Sequence, residues 1–101
     1  MRSIYYILNE AAVVESCSRD AWLYDHRRSA VLRRDELDGG NIFISTVFLG
    51  IEHGYAEAGL PLLFETMIFG EGYEHDEYQE RYTTYDEAIL GHARALAMVG
   101  K

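Results

Sequence analysis

The histidines and their neighbouring carboxylates are the side chains of this chain best suited to acid–base chemistry. Three of the four histidines have a carboxylate directly beside them in the sequence: His26, His53 and His75. His53 is the best placed for binding, because it ends a predicted central strand just before a glycine-containing loop, where functional side chains are commonly presented. With Glu52 or Glu65 as the orienting carboxylate, His53 could serve as the general base of a small hydrolase.

Metal and cofactor chemistry is not indicated by any spacing. Adjacent residues of a strand point to opposite faces, so Glu52 and His53 would not hold one metal ion together. The chain has no Walker, G-x-G-x-x-G, HExxH, G-x-S-x-G or zinc-type Cys/His motif. The single cysteine, Cys17, has no disulfide or CxxC partner and is predicted to be a half-buried apolar residue. These absences favour a protein that is not an enzyme and that uses no cofactor and no metal.

Two polar residues stand at apolar positions of predicted elements. Glu65 interrupts an apolar strand, so it either lies on a solvated face or pairs with a base such as Arg81 or Arg94, because an unpaired buried carboxylate is strongly penalised. His92 falls in the apolar stripe of the last predicted helix. We expect it to be a core histidine that is hydrogen-bonded to a neighbour.

The formal net charge of −8 is unevenly distributed along the chain. No Lys or Arg occurs between Asp35 and Glu80, and that span holds eleven carboxylates. A surface of one negative sign repels phosphate backbones and attracts basic surfaces, so nucleic acid is not expected as a direct partner. Positive charge is concentrated in a short arginine cluster before this span, and the cluster could bind a nucleotide-like anion. Its candidate residues are Arg27, Arg28, Arg33 and Arg34.

Carboxylates alternate with tyrosines between Glu71 and Tyr85. The tyrosines of this segment are Tyr73, Tyr78, Tyr82 and Tyr85. Such a surface could imitate the charge and the bases of nucleic acid and occupy a basic groove on another protein, since tyrosine offers a large contact area at low entropy cost. The alternative is an acidic loop whose tyrosines pack against the sheet.

Apolar runs and turn signals predict a single α+β domain over residues 1–101. Strands are predicted over 4–8, 11–15, 30–37, 42–51, 60–69 and 77–83, and helices over 19–29 and 84–99. Ser18 is the expected cap of the first helix, and Thr84 with Glu87 has the form of a capping box for the second. The order β-β-α-β-β-β-β-α, with short connections, favours an antiparallel sheet of about four to six strands with two helices packed on one face.

Apolar side chains are predicted on both faces of this sheet, and two short helices cannot cover both. We therefore expect the second face to meet another subunit, which makes a homodimer the predicted state. No apolar stretch reaches the ~20 residues of a membrane helix, and no secretory leader pattern opens the chain. A cytoplasmic protein with no membrane partner is the expectation.

The chain resembles a family of small uncharacterised proteins encoded by tailed bacteriophages and prophages. The resemblance rests on the blocks STVFLGIEH from Ser45, PLLFETMIFG from Pro61 and ERYTTYDEA from Glu80, followed by Gly91 and His92. It implies a phage accessory protein without an assigned reaction, and a shared site among the polar residues of these blocks. Those residues are Glu52, His53, Glu65, Thr66, Arg81, Tyr82 and His92. The sequence departs from the family pattern after His53 and in the acidic turn after Gly70.

Together these features lead to three functional hypotheses. The first is a phage or prophage accessory protein that binds a basic surface of a host protein, in host takeover or counter-defence. The second is a protein that sequesters a nucleotide-like small molecule at a subunit interface. The third is the small hydrolase based on His53.

Overall fold

The computed structural model describes residues 4–25, 30–72 and 74–100 of the chain. The strands are β1 (Tyr5–Leu8), β2 (Val14–Cys17), β3 (Val31–Leu37), β4 (Ile42–Phe48), β5 (Phe64–Phe69) and β6 (Gln79–Tyr82). The helices are α1 (Arg19–Tyr24), which follows β2, and α2 (Tyr85–Val99), which follows β6. The structure confirms the α+β class and the predicted order of strands and helices. Residues 26–29, at the end of the predicted first helix, lie outside the described residues, and α1 itself ends at Tyr24.

The six strands form two antiparallel sheets. Strands β1 and β2 make a hairpin, and β3 to β6 make a four-stranded sheet in the order β3-β4-β5-β6. The hairpin is attached to the chain that follows β4, because the Tyr6 amide donates to the Gly50 carbonyl and the Glu52 amide donates to the Ile4 carbonyl. Helix α1 contacts β1, where the rings of Trp22 and Tyr5 lie 5.3 Å apart.

The turn of the first hairpin is longer than the predicted Asn9–Glu10 pair, because β2 begins only at Val14. The Asn9 side chain accepts hydrogen bonds from the amides of Ala11 and Val13 at 2.8 and 3.0 Å. The residue of this turn with a positive φ is Ala12, at 63°. Asn9 therefore organises this turn as a hydrogen-bond acceptor rather than through its backbone conformation.

The turn between β3 and β4 is a single 3₁₀ turn at Asp38–Gly40. Asp38 and Gly39 have φ angles of 52° and 65°, a region that aspartate and glycine adopt more readily than other residues. This turn sets the antiparallel register of β3 and β4, in which Asp35 lies opposite Ile44 and Arg34 opposite Ser45.

Alternation along the strands gives the larger sheet two different faces. The face under α2 presents Ile44, Thr46 and Phe48 from β4, and α2 contacts all four strands. The other side, here named the open face, has no helix of the described chain packed across it. Its side chains, assigned from the strand register, are Val31, Arg34, Glu36, Phe43, Ser45, Val47, Glu65, Met67, Phe69, Gln79 and Arg81.

Helix α2 begins with the predicted capping box. The Thr84 hydroxyl accepts from the Glu87 amide at 3.2 Å, and the Glu87 carboxylate accepts from the Thr84 amide at 3.2 Å. Gly91 is the point of closest approach to the sheet, because a Cβ there would overlap the phenol ring of Tyr82. The ring of Tyr82 therefore lies directly on the backbone of α2.

The core under α2 consists of two apolar clusters. One contains Phe48, Leu63 and Phe64, and the other contains Ile44 and Ile68. Between them lie Thr46 and Thr66, which are partners on neighbouring strands, and His92 of α2. A polar layer therefore separates the two apolar parts of one core.

Candidate functional site

A hydrogen-bonded chain crosses the buried interface between the sheet and α2. Asp35 Oδ2 of β3 lies 2.7 Å from His92 Nε2, and His92 Nδ1 lies 2.7 Å from Thr46 Oγ1. The Thr46 and Thr66 hydroxyls are 2.6 Å apart. Because a carboxylate only accepts, Nε2 carries a proton, and with a neutral imidazole Nδ1 accepts from Thr46. The prediction of a hydrogen-bonded core histidine at position 92 is confirmed.

This Asp–His–hydroxyl order is the one that activates nucleophiles in hydrolases. Here the Thr46 hydroxyl is 0% exposed and also bonds Thr66, and His92 is 3% exposed. A substrate therefore cannot reach the hydroxyl. The hydrogen bonds from Asp35 to Thr66 hold α2 to the sheet and do not act on a ligand. Sequence reasoning missed Asp35 and Thr46 as the partners of His92. The available signal was Thr46 itself, which interrupts the apolar alternation of Ile44 and Phe48.

A second polar cluster joins β6 to α2. Glu80 Oε2 accepts from the Tyr78 hydroxyl at 2.5 Å and from the Tyr82 hydroxyl at 3.4 Å, and Glu80 Oε1 lies 3.4 Å from Arg94 Nη2. Burial, followed by the bond to Glu80, raises the pKa of Tyr78 well above its ordinary value of 10. Burial also raises the pKa of Tyr82. Both phenols therefore remain protonated, and Tyr82, at 5% exposure, is not available to a partner.

Glu65 lies on the open face, where two side chains of β6 donate hydrogen bonds to its carboxylate. Its Oε2 accepts from Gln79 Nε2 at 2.6 Å and from Arg81 Nε at 2.9 Å. Of the two bases considered from the sequence, Arg81 is the partner, and Arg94 pairs with Glu80 instead. Arg81 Nη1 also lies 3.5 Å from the His53 carbonyl oxygen, which brings the loop after β4 next to this pair.

The side chains of Glu52 and His53 are used locally. His53 Nδ1 lies 2.7 Å from the Ile51 carbonyl oxygen, and the Glu52 carboxylate accepts from the Gly54 amide. Within residues 4–25, 30–72 and 74–100, no hydrogen bond joins the His53 imidazole to the carboxylate of Glu52 or Glu65. The pairing that a His53-based hydrolase requires is therefore absent from this part of the chain.

The described part of the arginine cluster does not converge on one site. Arg34 is on the open face, where its guanidinium lies 4.3 Å from the centre of the Phe43 ring, and its Nη2 is 3.4 Å from Glu36 Oε1. Arg33 lies opposite Thr46, so the register places it on the face under α2. Arg27 and Arg28 lie outside the described residues. Arg33 and Arg34 therefore do not form a single anion site on either face of the sheet.

The acidic segment between β5 and β6 is exposed. Glu71, Glu74 and Glu77 are exposed, and the one ion pair found for them within the described chain joins Glu74 to His75 at 3.3 Å. Tyr78 and Tyr82 turn inward to Glu80, so they do not lie among these carboxylates. Tyr73, the remaining tyrosine predicted for this surface, lies outside the described residues. The surface is therefore acidic without the interleaved aromatic rings that the sequence suggested at positions 78 and 82.

Two open cavities flank the N-terminal end of α2. One cavity, of about 480 Å³, has a largely apolar lining. Its walls are the first hairpin, the segment with Leu60, Pro61 and Leu63, and the residues from Thr83 to Asp86. The other, of about 530 Å³, is a groove beside β6 that contains the charged residues Glu80, Arg81, Glu87 and Arg94. The groove brings together Arg81 and Tyr82, two of the residues singled out from the sequence.

Burial and the nearby Asp25 raise the pKa of the Cys17 thiol, which disfavours the reactive thiolate. No group of three metal-ligating side chains occurs among the residues that the structure describes. Of the helices in those same parts of the chain, none combines the length and apolar character of a membrane crossing.

Comparisons with known proteins identify no relative of this chain. No protein-family model matches the chain, and no curated protein or solved structure shows significant similarity to it. Function is therefore argued from the geometry of this chain.

Proposed function

We propose that this protein is a small phage or prophage accessory protein that acts by binding, and that it occupies a basic surface of a host protein in host takeover or counter-defence. The phage context of this proposal comes from the resemblance of the three sequence blocks described above. The mode of action comes from the distribution of charge in the fold.

The observation that carries the proposal is an imbalance between paired arginines and exposed carboxylates. Arg34, Arg81 and Arg94 each lie within 3.4 Å of a glutamate oxygen of the same chain. Glu71, Glu74 and Glu77, by contrast, extend from the turn between β5 and β6 into solvent. The acidic field is therefore not neutralised by the described arginines, and such a field steers and binds basic surfaces.

The burial of the hydrogen-bonded residues His92 and Thr46 also supports a binding protein rather than an enzyme. The His92 imidazole and Thr46 hydroxyl have the order of a catalytic relay but are buried under α2. The exposed polar groups of the described chain are mostly charges, which serve recognition without requiring a reaction.

The experiment is affinity capture from a bacterial lysate on immobilised full-length protein, with bound proteins identified by mass spectrometry. We expect captured proteins with basic surfaces, released as salt rises, and lost when Glu71, Glu74 and Glu77 are all changed to Gln. The matched control changes Glu10, Glu15 and Glu57 to Gln, which removes the same charge from other exposed positions. Equal loss in both triple variants, or capture that does not depend on salt, would contradict a specific role for the acidic turn.

A further inference from the structure

The open face of the larger sheet is an uncovered surface with an apolar centre. Phe43 and Phe69 stack on it with their ring centres 4.6 Å apart. On this face Met67 lies in the next row of the register, opposite Ser45, and Val47 lies in the row after that. All four side chains remain partly exposed. Val31, at the β3 edge, is 60% exposed. Helix α2 occupies only the opposite face. Within the described chain no helix covers these groups, and the Arg34 guanidinium lies over the Phe43 ring.

The same face is electrically balanced, unlike the rest of the molecule. It carries two arginines, Arg34 and Arg81, and two glutamates, Glu36 and Glu65, in a chain whose formal net charge is −8. The pairs lie toward opposite edges of the sheet, one at β3 and one at β5 and β6. A partner with a strongly basic surface would gain little here, whereas a second surface of balanced charge can approach without net repulsion between the two faces.

We infer that the open face is the contact between two copies of this chain. A two-fold rotation about an axis parallel to the strands lays the β3 edge of each copy over the β6 edge of the other. In the register of the strands, Phe43 of each copy then lies over Phe69 of the other, and Val31 of each copy lies over Arg81 of the other. Sheets that pack face to face keep their strands roughly 30° apart and about 10 Å from each other, which side chains of this size fill.

The size of the face limits the strength of this dimer. Four strands spaced ~4.8 Å apart and about six residues long at ~3.4 Å per residue span roughly 400 Å² in projection. A standard stable interface covers about 800 Å² on each partner. We therefore expect a reversible dimer whose population depends on concentration, not an obligate one. Pairing would also place two acidic turns on one particle, which strengthens binding to a host surface that can engage both.

The test is sedimentation of the full chain at roughly 10 μM to 1 mM, a range that brackets a dissociation constant between micromolar and millimolar. Val31→Lys adds a charge to the open face at an exposed position and should not disturb folding. Met67→Lys places the charge nearer the centre. Leu90→Lys is the matched control, because Leu90 is 62% exposed on α2, away from the open face.

We expect the wild-type chain and Leu90→Lys to dimerise equally, and Val31→Lys to weaken the dimer by about tenfold. Met67→Lys should weaken it further, with circular dichroism confirming that the fold is kept. A wild-type chain that stays monomeric throughout would overturn the inference, even if the open face binds an apolar dye, since another partner would then be its occupant. A dimer that only Leu90→Lys disrupts would overturn it as well. Failure of the dimer leaves the capture experiment with the acidic turn unaffected, so the two proposals can be separated.

Discussion

At the scale of single residues, the most informative feature is a buried histidine whose two ring nitrogens are both occupied. His92 contacts a carboxylate on one side and a threonine hydroxyl on the other, at 2.7 Å each. Buried polar groups are tolerated when every member of the network is bonded, and they are costly when one partner is removed. This asymmetry gives a direct test of the polar chain.

Thr46→Val removes the hydroxyl that bonds both His92 and Thr66 while nearly preserving the volume of the side chain. We expect a loss of about 1–3 kcal/mol in the free energy of unfolding, because the His92 Nδ1 is left buried without its partner. Urea unfolding gives the energy, and the ¹⁵N chemical shifts of the His92 ring report on the bond itself. Thr46→Ser keeps the hydroxyl and should restore the ring shifts. Unchanged shifts in Thr46→Val would show that the hydroxyl does not bond the imidazole.

A pH-dependent contribution comes from Glu87 of the capping box. The hydrogen bond from the Thr83 hydroxyl does most to hold the pKa of this carboxyl below its ordinary value of 4.5. Burial opposes this shift, and further bonds from the Thr83 amide and from Thr84 add to it. The folded state therefore binds fewer protons than the unfolded chain from about pH 4.5 downward. The stability that Glu87 contributes is fully present above that range and is lost as the pH falls through the folded pKa.

Glu87→Gln should consequently make the free energy of unfolding less dependent on pH at acidic pH. Glutamine still accepts the bonds of a capping box at neutral pH, but it has no proton to gain. We expect the loss of stability between pH 7 and pH 3 in urea unfolding to be smaller than in the wild type. The control is Glu57→Gln, an exposed loop position with no helix cap. An identical acid loss in wild type and Glu87→Gln would remove the cap from the explanation.

At the scale of elements, the contact between α2 and β6 depends on a residue that has no side chain. Gly91 allows the Tyr82 ring to lie against the helix backbone, and Tyr82 in turn reaches Glu80, which lies 3.4 Å from Arg94 of α2. The polar layer adds a constraint on register. Thr46 and Thr66 face each other across β4 and β5. A slip of β4 by one residue would turn Thr46 to the open face and separate it from Thr66 and His92.

Gly91→Ala tests this contact with a change that normally stabilises a helix by about 1 kcal/mol. Here we expect the opposite sign, a loss of about 1–3 kcal/mol, because the new methyl group overlaps the Tyr82 ring and forces α2 away from the sheet. In a Tyr82→Leu background the same exchange should be neutral or stabilising, since the ring is gone. Thermal unfolding of the four variants completes the comparison. Destabilisation by Gly91→Ala in both backgrounds would point to a different neighbour.

At the scale of the whole molecule, charge affects both proposed associations. It opposes the dimer and favours the complex with a basic host surface. Two copies at −8 each repel, whereas an acidic surface and a basic one attract. At 0.1 M, salt largely screens interactions between exposed charges that lie more than about 10 Å apart, so it weakens both effects. The dimer is therefore expected to be favoured by salt and the host complex to be weakened by it.

Sedimentation at about 0.05 M and 0.5 M NaCl checks this prediction. We expect several-fold tighter dimerisation at the higher salt concentration, because the apolar centre of the open face is insensitive to screening while the repulsion between copies is reduced. Capture on the acidic turn should decrease over the same change. A dimer that weakens as salt rises would show that ion pairs, and not the apolar centre, hold the two copies together.

Local signals in the sequence determined the elements of this fold and their order. The capping box at Thr84 and Glu87, the Asp38–Asn41 turn and the apolar runs depend on residues that are close in the chain, so composition and spacing suffice to predict them. For Glu65 the sequence left two alternatives, a solvated face or a pair with Arg81 or Arg94, and the structure shows the pair with Arg81. The sequence did not separate the first hairpin from the larger sheet, because that division depends on contacts between Ile4, Tyr6 and residues 50–52.

Only the tertiary structure decided which polar residues meet. Asp35 and His92 are separated by fifty-seven positions, and Thr46 and His92 by forty-six, so no local pattern could pair them. The burial of Tyr82 was likewise decided by the packing of α2 against β6. The physical reason is that periodicity fixes which face a side chain takes within its own element, while the neighbour that it finds there depends on how separate elements pack together.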